Sequence, residues 1–104
     1  MITIDGYQEF TGTTAIYPKE RALDYLMAGL GSEVGEVLGK YKKEIRDGEE
    51  YTDAIIAELG DVCWYVARLC DELGYSLSKV MQMNKDKLLD RQRRDVIKGN
   101  GDDR

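Results

Sequence analysis

The sequence contains no histidine, a single proline and only two cysteines. Without histidine, the chain cannot form a Ser-His or Cys-His catalytic pair, and it lacks the most common transition-metal ligand. Cys63 and Cys70 are seven positions apart, which on one helix is about 10 Å of rise and too long for a disulfide. We therefore expect both to be small core residues of a protein in a reducing compartment.

No apolar run approaches the roughly 18 residues that a membrane-spanning helix needs, and no signal-peptide pattern is present. We therefore expect a cytoplasmic protein that does not enter a membrane. The net charge is −5, which argues against non-specific binding to nucleic acid. An acidic protein that handled polyphosphates would need metal ions and a local basic patch.

The composition favours one all-α domain over residues 1–104, because 42% of the residues are apolar, 34% are charged and proline is almost absent. Apolar spacings of three and four residues, together with capping residues, predict four helices. The first runs from a cap at Thr3 or Asp5 to about Thr14, the second spans about Glu20–Arg46, the third extends from a cap at Thr52 to a stop at Gly74, and the fourth runs from a cap at Ser76 to about Arg94. The composition of residues 95–104 predicts a flexible tail.

Two features of these helices leave alternatives open. Tyr7 and Phe10 are three residues apart and are expected to face the core, although either could line a pocket for a nucleobase. Gly31, Gly35 and Gly39 recur every four residues within the second helix, where each glycine costs about 1 kcal/mol relative to alanine. Such a row allows either the close approach of another helix or room for a ligand.

Two pairs of acids carry the chemical signal. Glu33 and Glu36 are three residues apart on the second helix, and Glu58 and Asp61 are three apart on the third, so each pair projects from one side of its helix. If the two helices pack together, four carboxylates surround one small volume. Their mutual repulsion and desolvation would be relieved by a hard divalent cation.

Basic and amide side chains on two helices are candidate phosphate contacts. Lys40 follows Glu36 by four residues, a spacing that fits either a simple ion pair or a phosphate contact beside the metal. Asn84, Lys87 and Arg91 share one face of the fourth helix, suited to phosphate oxygens. Asn84 lies on the apolar stripe, so it is either a buried amide with a partner or a site residue.

These motifs resemble the MazG-like all-α nucleoside triphosphate pyrophosphohydrolases, whose signature is E-x-x-E followed by E-x-x-D. The second motif begins 22 positions after Glu36, and Gly29-Leu30 precedes the first as in the family. The segment ELGDVCWY (58–65) is similar to the family's ELGDVLWY, with Cys63 in place of leucine. The final GNGDDR (99–104) resembles the GxGDxR tail of a short, often phage-encoded subgroup.

The resemblance implies a four-helix bundle completed by dimerisation, as a homodimer or a tetramer of dimers. It implies Mg²⁺, with Mn²⁺ as a substitute, held by Glu33, Glu36, Glu58 and Asp61. It also implies hydrolysis of an NTP or dNTP between the α and β phosphates, yielding a monophosphate and pyrophosphate, in the host cytoplasm if the chain is phage-encoded. Glu36 or Glu33 is then the candidate catalytic carboxylate, and Lys40, Asn84, Lys87 and Arg91 are the candidate phosphate contacts.

The sequence is also compared with three alternative functions: another nucleotide substrate, a di-iron protein and a dimerisation module. The same fold could act on dUTP or phosphoribosyl-ATP, which the sequence does not distinguish. A carboxylate-bridged di-iron protein is disfavoured, because such sites use histidine. A non-catalytic helical dimerisation module would tolerate neutralisation of all four acids, whereas a metal enzyme would not.

Overall fold

The computed structural model describes all residues, Met1–Arg104, and contains only helices. The predicted all-α fold of four helices is confirmed, and none of the helices is long and apolar enough to cross a membrane. A short 3₁₀ turn, Lys19–Arg21, precedes the second helix, which continues without a break past its glycines. The four helices are α1 (Ile4–Gly12), α2 (Ala22–Asp47), α3 (Thr52–Glu72) and α4 (Leu77–Arg93).

Two of the predicted N-terminal caps are present and one is not. The hydroxyl of Thr3 accepts a backbone N–H of α1 at 2.9 Å, and the hydroxyl of Ser76 accepts one of α4 at 3.2 Å. The prediction that Thr52 caps α3 is wrong, because Thr52 is already the first helical residue. Its hydroxyl instead donates to the Glu50 carboxylate at 2.7 Å, and it satisfies no backbone N–H of α3.

Glycines with positive φ follow the two long helices, and one of them is the predicted stop at Gly74. Gly48 follows α2 with φ of 69°, and its N–H donates to the Glu44 carbonyl. Gly74 follows α3 with φ of 81°. These are conformations that an L-residue with a side chain rarely adopts, so the two glycines fix where the chain reverses.

The core is small and lies on two sides of α3, one part where α3 packs against α2 and the other where it packs against α1 and α4. One buried cluster contains Tyr17, Ala22, Leu26 and Leu69, and a second contains Ala67, Cys70 and Leu77. Cys70 is therefore a core residue as expected, and both cysteines are free thiols. The same expectation is wrong for Cys63, which is exposed, because it faces a shallow apolar groove between α1, α3 and α4.

Much of the apolar surface of α2 is left uncovered. The apolar residues of α2 that recur every three or four positions form a stripe along one side of the helix: Leu23, Leu26, Leu30, Val34, Val37, Tyr41 and Ile45. Only Leu26 is fully buried, whereas Val34, Tyr41 and Ile45 are 45%, 56% and 70% exposed. The chain exposes 7710 Å², compared with about 5,900 Å² expected for a compact protein of this mass. Most of the stripe therefore has no partner within the chain.

The glycine row of α2 also faces open space. A Cβ atom added at Gly31, Gly35 or Gly39 would meet nothing within 4 Å. The close helix approach that such a row could serve is therefore absent within one chain. Gly29 is the glycine that permits a contact, because a Cβ there would lie 2.1 Å from the ring of Tyr65.

Candidate metal centre

Three of the four predicted acids converge where α2 and α3 pack. Glu33 on α2 and Glu58 and Asp61 on α3 each present a carboxylate oxygen, and these oxygens lie within 4.8 Å of one another. Glu33 and Glu58 are half-buried, whereas Asp61 is exposed. The i,i+3 spacing explains the pairing on α3, and the packing of the two helices brings Glu33 to it.

The three carboxylates have no positive partner in the chain. None of them is within 4 Å of a lysine or arginine nitrogen. The pKa of Glu33 is raised to about 6, first by a hydrogen bond shared with Glu58, then by desolvation and by the negative charges of Asp61, Glu58 and Glu36. At neutral pH the cluster therefore concentrates like charge that nothing in the chain offsets.

The donor set fits a hard divalent cation. Three convergent carboxylates supply the oxygen ligands that Mg²⁺ and Mn²⁺ prefer, and no sulfur or imidazole is present to select a softer metal. A cation of charge two would also reverse the unfavourable electrostatics of the cluster. The chemistry of these side chains thus agrees with the metal that the sequence motifs imply.

Glu36 does not join the convergent group. Its carboxylate is 54% exposed and lies 3.9 Å from the ammonium nitrogen of Lys40, so the i,i+4 ion pair, one of the two alternatives for Lys40, is present. Glu36 still contributes to the raised pKa of Glu33, which places its charge near the cluster. Its roles as metal ligand or proton acceptor, and that of Lys40 as a phosphate contact, stay predictions.

An aromatic cleft opens beside the acids. It has a volume of about 440 Å³. The indole N–H of Trp64 donates to the hydroxyl of Thr14 at 2.7 Å, which fixes the indole across the cleft. The lining residues are Phe10, Thr14, Glu33, Asp61, Trp64 and Tyr65.

The cleft corrects one expectation about the first helix. Phe10 was expected to face the core, but it is 57% exposed and lines the cleft, whereas Tyr7 packs partly buried against the second core cluster. Sequence reasoning did not select Trp64 or Tyr65 as site residues. Their positions three and four residues after Asp61 put them on the same face of α3, and that spacing was the available signal.

The basic face of α4 is already paired with an anion. The ammonium of Lys87 donates to the Asp102 carboxylate at 2.8 Å, and the guanidinium of Arg91 donates to the same oxygen at 3.0 Å. Arg91 is only 4% exposed. Asn84 is exposed and makes no hydrogen bond in the chain, which excludes the alternative of a buried, satisfied amide.

Comparison with known proteins agrees with this geometry. The family model of the MazG nucleotide pyrophosphohydrolase domain matches residues 21–95, a range that includes all of the predicted acids and basic residues. The chain therefore belongs to the MazG nucleotide pyrophosphohydrolase family. The Gene 37 protein of Mycobacterium phage L5 is 44% identical to it over 112 aligned positions, covering 97% of this chain and 98% of the phage protein. No solved structure gives a significant match.

Proposed function

We propose that this protein is a Mg²⁺-dependent pyrophosphohydrolase that cleaves an NTP or dNTP between the α and β phosphates. The observation that carries the proposal is the convergence of Glu33, Glu58 and Asp61, without any cation of the chain, beside an aromatic cleft. The products would be a nucleoside monophosphate and pyrophosphate. Membership of the MazG family supports this class of reaction.

Glu33, Glu58 and Asp61 would hold the metal, with Glu36 at the edge of the group. Bound there, Mg²⁺ or Mn²⁺ supplies positive charge for the phosphates and makes water easier to ionise. Glu36, or Glu33 in its place, takes up the proton of the attacking water. The separation of Glu36 from the other three acids favours it, because a carboxylate that is not a metal ligand keeps its basicity.

The remaining groups bind and orient the substrate. Lys40, Asn84, Lys87 and Arg91 would donate hydrogen bonds to phosphate oxygens and spread their charge. The exposed ring of Phe10 and the fixed indole of Trp64 offer π-faces on which a base can stack. The acids thus bind the metal end of the nucleotide, and the aromatic cleft binds its base.

A second copy of the chain would complete the bundle, giving a homodimer or a tetramer of dimers. The exposed apolar stripe of α2 and the surface area in excess of a compact monomer support this arrangement. No Cα atom of α2 lies within 8 Å of one in α4, so the basic face of α4 is not packed on the α2 acids of its own chain. Light scattering after gel filtration would measure the assembly, and Ile45→Glu should shift it toward monomer.

The test is a nucleotide panel. The purified protein is incubated with each common NTP and dNTP, with dUTP and phosphoribosyl-ATP included, in Mg²⁺ or in EDTA, and the products are separated. Monophosphate plus pyrophosphate only in Mg²⁺ is the expected result, and the rates would rank the substrates. Diphosphate plus orthophosphate would refute cleavage between the α and β phosphates. No turnover of any nucleotide by folded protein would favour a non-catalytic helical module.

We also propose that the enzyme acts in the cytoplasm of a host cell. A nucleotide hydrolase acts where nucleotide pools are, and the relative from a bacteriophage supports the cytoplasm of a host cell.

A further inference from the structure

Residues 95–104 fold into a closed loop held by the side chain of Arg104. Its guanidinium donates to the carbonyls of Val96 at 3.0 Å, Ile97 at 2.6 Å and Gly101 at 2.6 Å. Gly101 has φ of 84°, and a Cβ atom at Gly99 would lie 2.8 Å from the Arg104 side chain. The loop is therefore closed by hydrogen bonds of its own, in addition to the backbone bonds that join Asp95 and Val96 to the end of α4.

This loop delivers one carboxylate to the basic face of α4. Asp102 contacts Lys87 at 2.8 Å and Arg91 at 3.0 Å through the same oxygen, and Arg91 also donates to its backbone carbonyl. Asp103, the next residue, makes no hydrogen bond or ion pair. One acid of the loop is thus matched to the two cations, and its neighbour is not.

The contact has the chemistry of a bound phosphate. A carboxylate and a phosphate both present anionic oxygens that accept hydrogen bonds from a guanidinium and an ammonium. Lys87 first and Arg91 second hold the pKa of Asp102 below its ordinary value, so it is ionised at neutral pH. Its side chain is nevertheless 75% exposed and that of Lys87 is 37% exposed, so this half of the contact is a weak surface ion pair that is easily exchanged. The Arg91 side chain is buried, and a phosphate oxygen would take the place of the carboxylate on its guanidinium.

We propose that Asp102 is a built-in competitor for the phosphate groups of the substrate. It occupies Lys87 and Arg91 when no nucleotide is present, and the phosphates displace it and release the loop. The competition lowers the affinity for every phosphate ligand that must displace the carboxylate, and by the same factor, because each ligand gives up the same Asp102 contact. The inference rests on the proposed function, because it uses the same phosphate-binding pair.

The test measures binding of inorganic triphosphate by calorimetry in EDTA, so that the acid cluster and any metal take no part. Asp102→Asn removes the competing charge and should bind triphosphate about three- to tenfold more tightly than the natural chain, because both of its ion pairs are lost and one weak pair alone accounts for at most about fivefold. Asp103→Asn makes the same charge change one residue away, and its affinity should stay within twofold. The gain should also disappear in a Lys87→Met background.

A second readout follows the loop itself. The ¹H–¹⁵N heteronuclear NOEs of residues 99–104 should fall when triphosphate is added to the natural chain, because Asp102 no longer tethers the loop to α4. In Asp102→Asn they should already be low without ligand. Triphosphate binding that leaves these NOEs unchanged in the natural chain would overturn the proposal.

The two proposals fail in different ways. If Asp102→Asn binds triphosphate no more tightly than the natural chain, or if neither binds it, the competitor is refuted, even where nucleotide turnover is observed. Weaker binding by Asp102→Asn would show that the carboxylate positions Lys87 and Arg91, which also refutes competition. If the affinities change as expected but no nucleotide is hydrolysed, competition by Asp102 is supported and the proposed hydrolase activity is refuted.

Discussion

The molecule has two charged clusters, and they are balanced in opposite ways. Glu33, Glu58 and Asp61 meet between α2 and α3 with no cation of the chain beside them. On α4, Lys87 and Arg91 meet a single carboxylate from the loop that follows. The acidic cluster has no counter-charge in the chain, whereas the basic cluster is paired with the carboxylate of Asp102.

This difference indicates which cluster requires something from outside. Unbalanced like charge between packed helices costs free energy, and a sequence that keeps it at a cleft is typical of a functional site. A cluster whose charges are paired costs little free energy, and it binds an external ligand only if that ligand replaces the internal partner. The acid cluster is therefore expected to bind its cation directly, whereas the basic cluster binds phosphate by competition.

Neutralising the acid cluster should give the largest effect. The triple variant Glu33→Gln, Glu58→Gln, Asp61→Asn should lose nucleotide turnover to background, because the metal ligands are gone. In the absence of metal it should unfold at the same or a higher temperature than the natural chain, since the repulsion is removed. Product analysis and thermal unfolding measure the two quantities.

A matched control separates this result from a general charge effect. Glu9→Gln, Glu20→Gln and Asp103→Asn together remove three exposed acids elsewhere on the surface, with the same change of net charge. That variant should keep its turnover. A triple variant of the cluster that remained active would contradict the metal site.

Replacing the acid that lies outside the cluster should separate proton transfer from metal binding. Glu36→Gln is expected to lower kcat by about 10²- to 10⁴-fold, the usual contribution of a general base, while the affinity for Mg²⁺ changes little. Steady-state kinetics and metal titration are the measurements. Turnover retained near the natural level would remove Glu36 from the catalytic role, and a lost metal affinity would make it a ligand instead.

Removing the aromatic ring of Phe10 from the cleft should have a smaller effect on catalysis. Phe10→Ala is expected to raise KM by about 5- to 100-fold, because stacking on an aromatic ring contributes about 1–3 kcal/mol per base. Phe10→Trp keeps a π-face and should keep the affinity. Phe10 is 57% exposed, so thermal stability should change little in both. Equal KM values for the two variants would show that the base does not stack on this ring.

The smallest effect is a pH dependence of stability in EDTA. The pKa of Glu33 is about 6, above its ordinary value of 4.5, so the folded chain binds this proton more tightly than the unfolded chain does. Stability should therefore fall as the pH rises from about 4.5 through 6, and Tm should be a few degrees lower at pH 7.5 than at pH 5, since solvent screens much of the effect at this partly exposed carboxylate. Asp47 and Asp102 have lowered pKa values, so their titration affects stability only at more acidic pH.

Two variations sharpen this measurement. Glu33→Gln should flatten the pH dependence, because the titrating group is gone. Mg²⁺ should also raise Tm most at the higher pH, where the cluster is fully ionised and binds the metal best. A Tm that rose with pH in EDTA would contradict the unbalanced charge of the cluster.

The helices and the acid cluster were accessible from sequence because their signals are local. Apolar spacings of three and four residues, caps such as Ser76 and the stop at Gly74 fix the four helices. The i,i+3 spacing of Glu58 and Asp61 fixes their common face before any tertiary structure is known. The two long amphipathic helices then need only pack side by side to bring Glu33 to them.

The features that the sequence left open or did not indicate depend on how distant segments meet. Phe10 lines the cleft because of where α1 crosses α3, and the Trp64–Thr14 hydrogen bond joins residues 50 positions apart. The contact of Asp102 with α4 requires the loop to fold back. Periodicity also shows that α2 has an apolar stripe, but it cannot show whether the covering surface belongs to the same chain.

A direct titration with metal tests the central claim, that the convergent carboxylates form a divalent cation site. Mn²⁺ binding to the nucleotide-free protein can be followed by the loss of the free-ion electron paramagnetic resonance signal, with Mg²⁺ as competitor. The account predicts saturable binding that Mg²⁺ displaces, which is abolished in the variant lacking Glu33, Glu58 and Asp61 carboxylates and retained in the surface-charge control. Equal binding by both variants, or none by the natural chain, would contradict it.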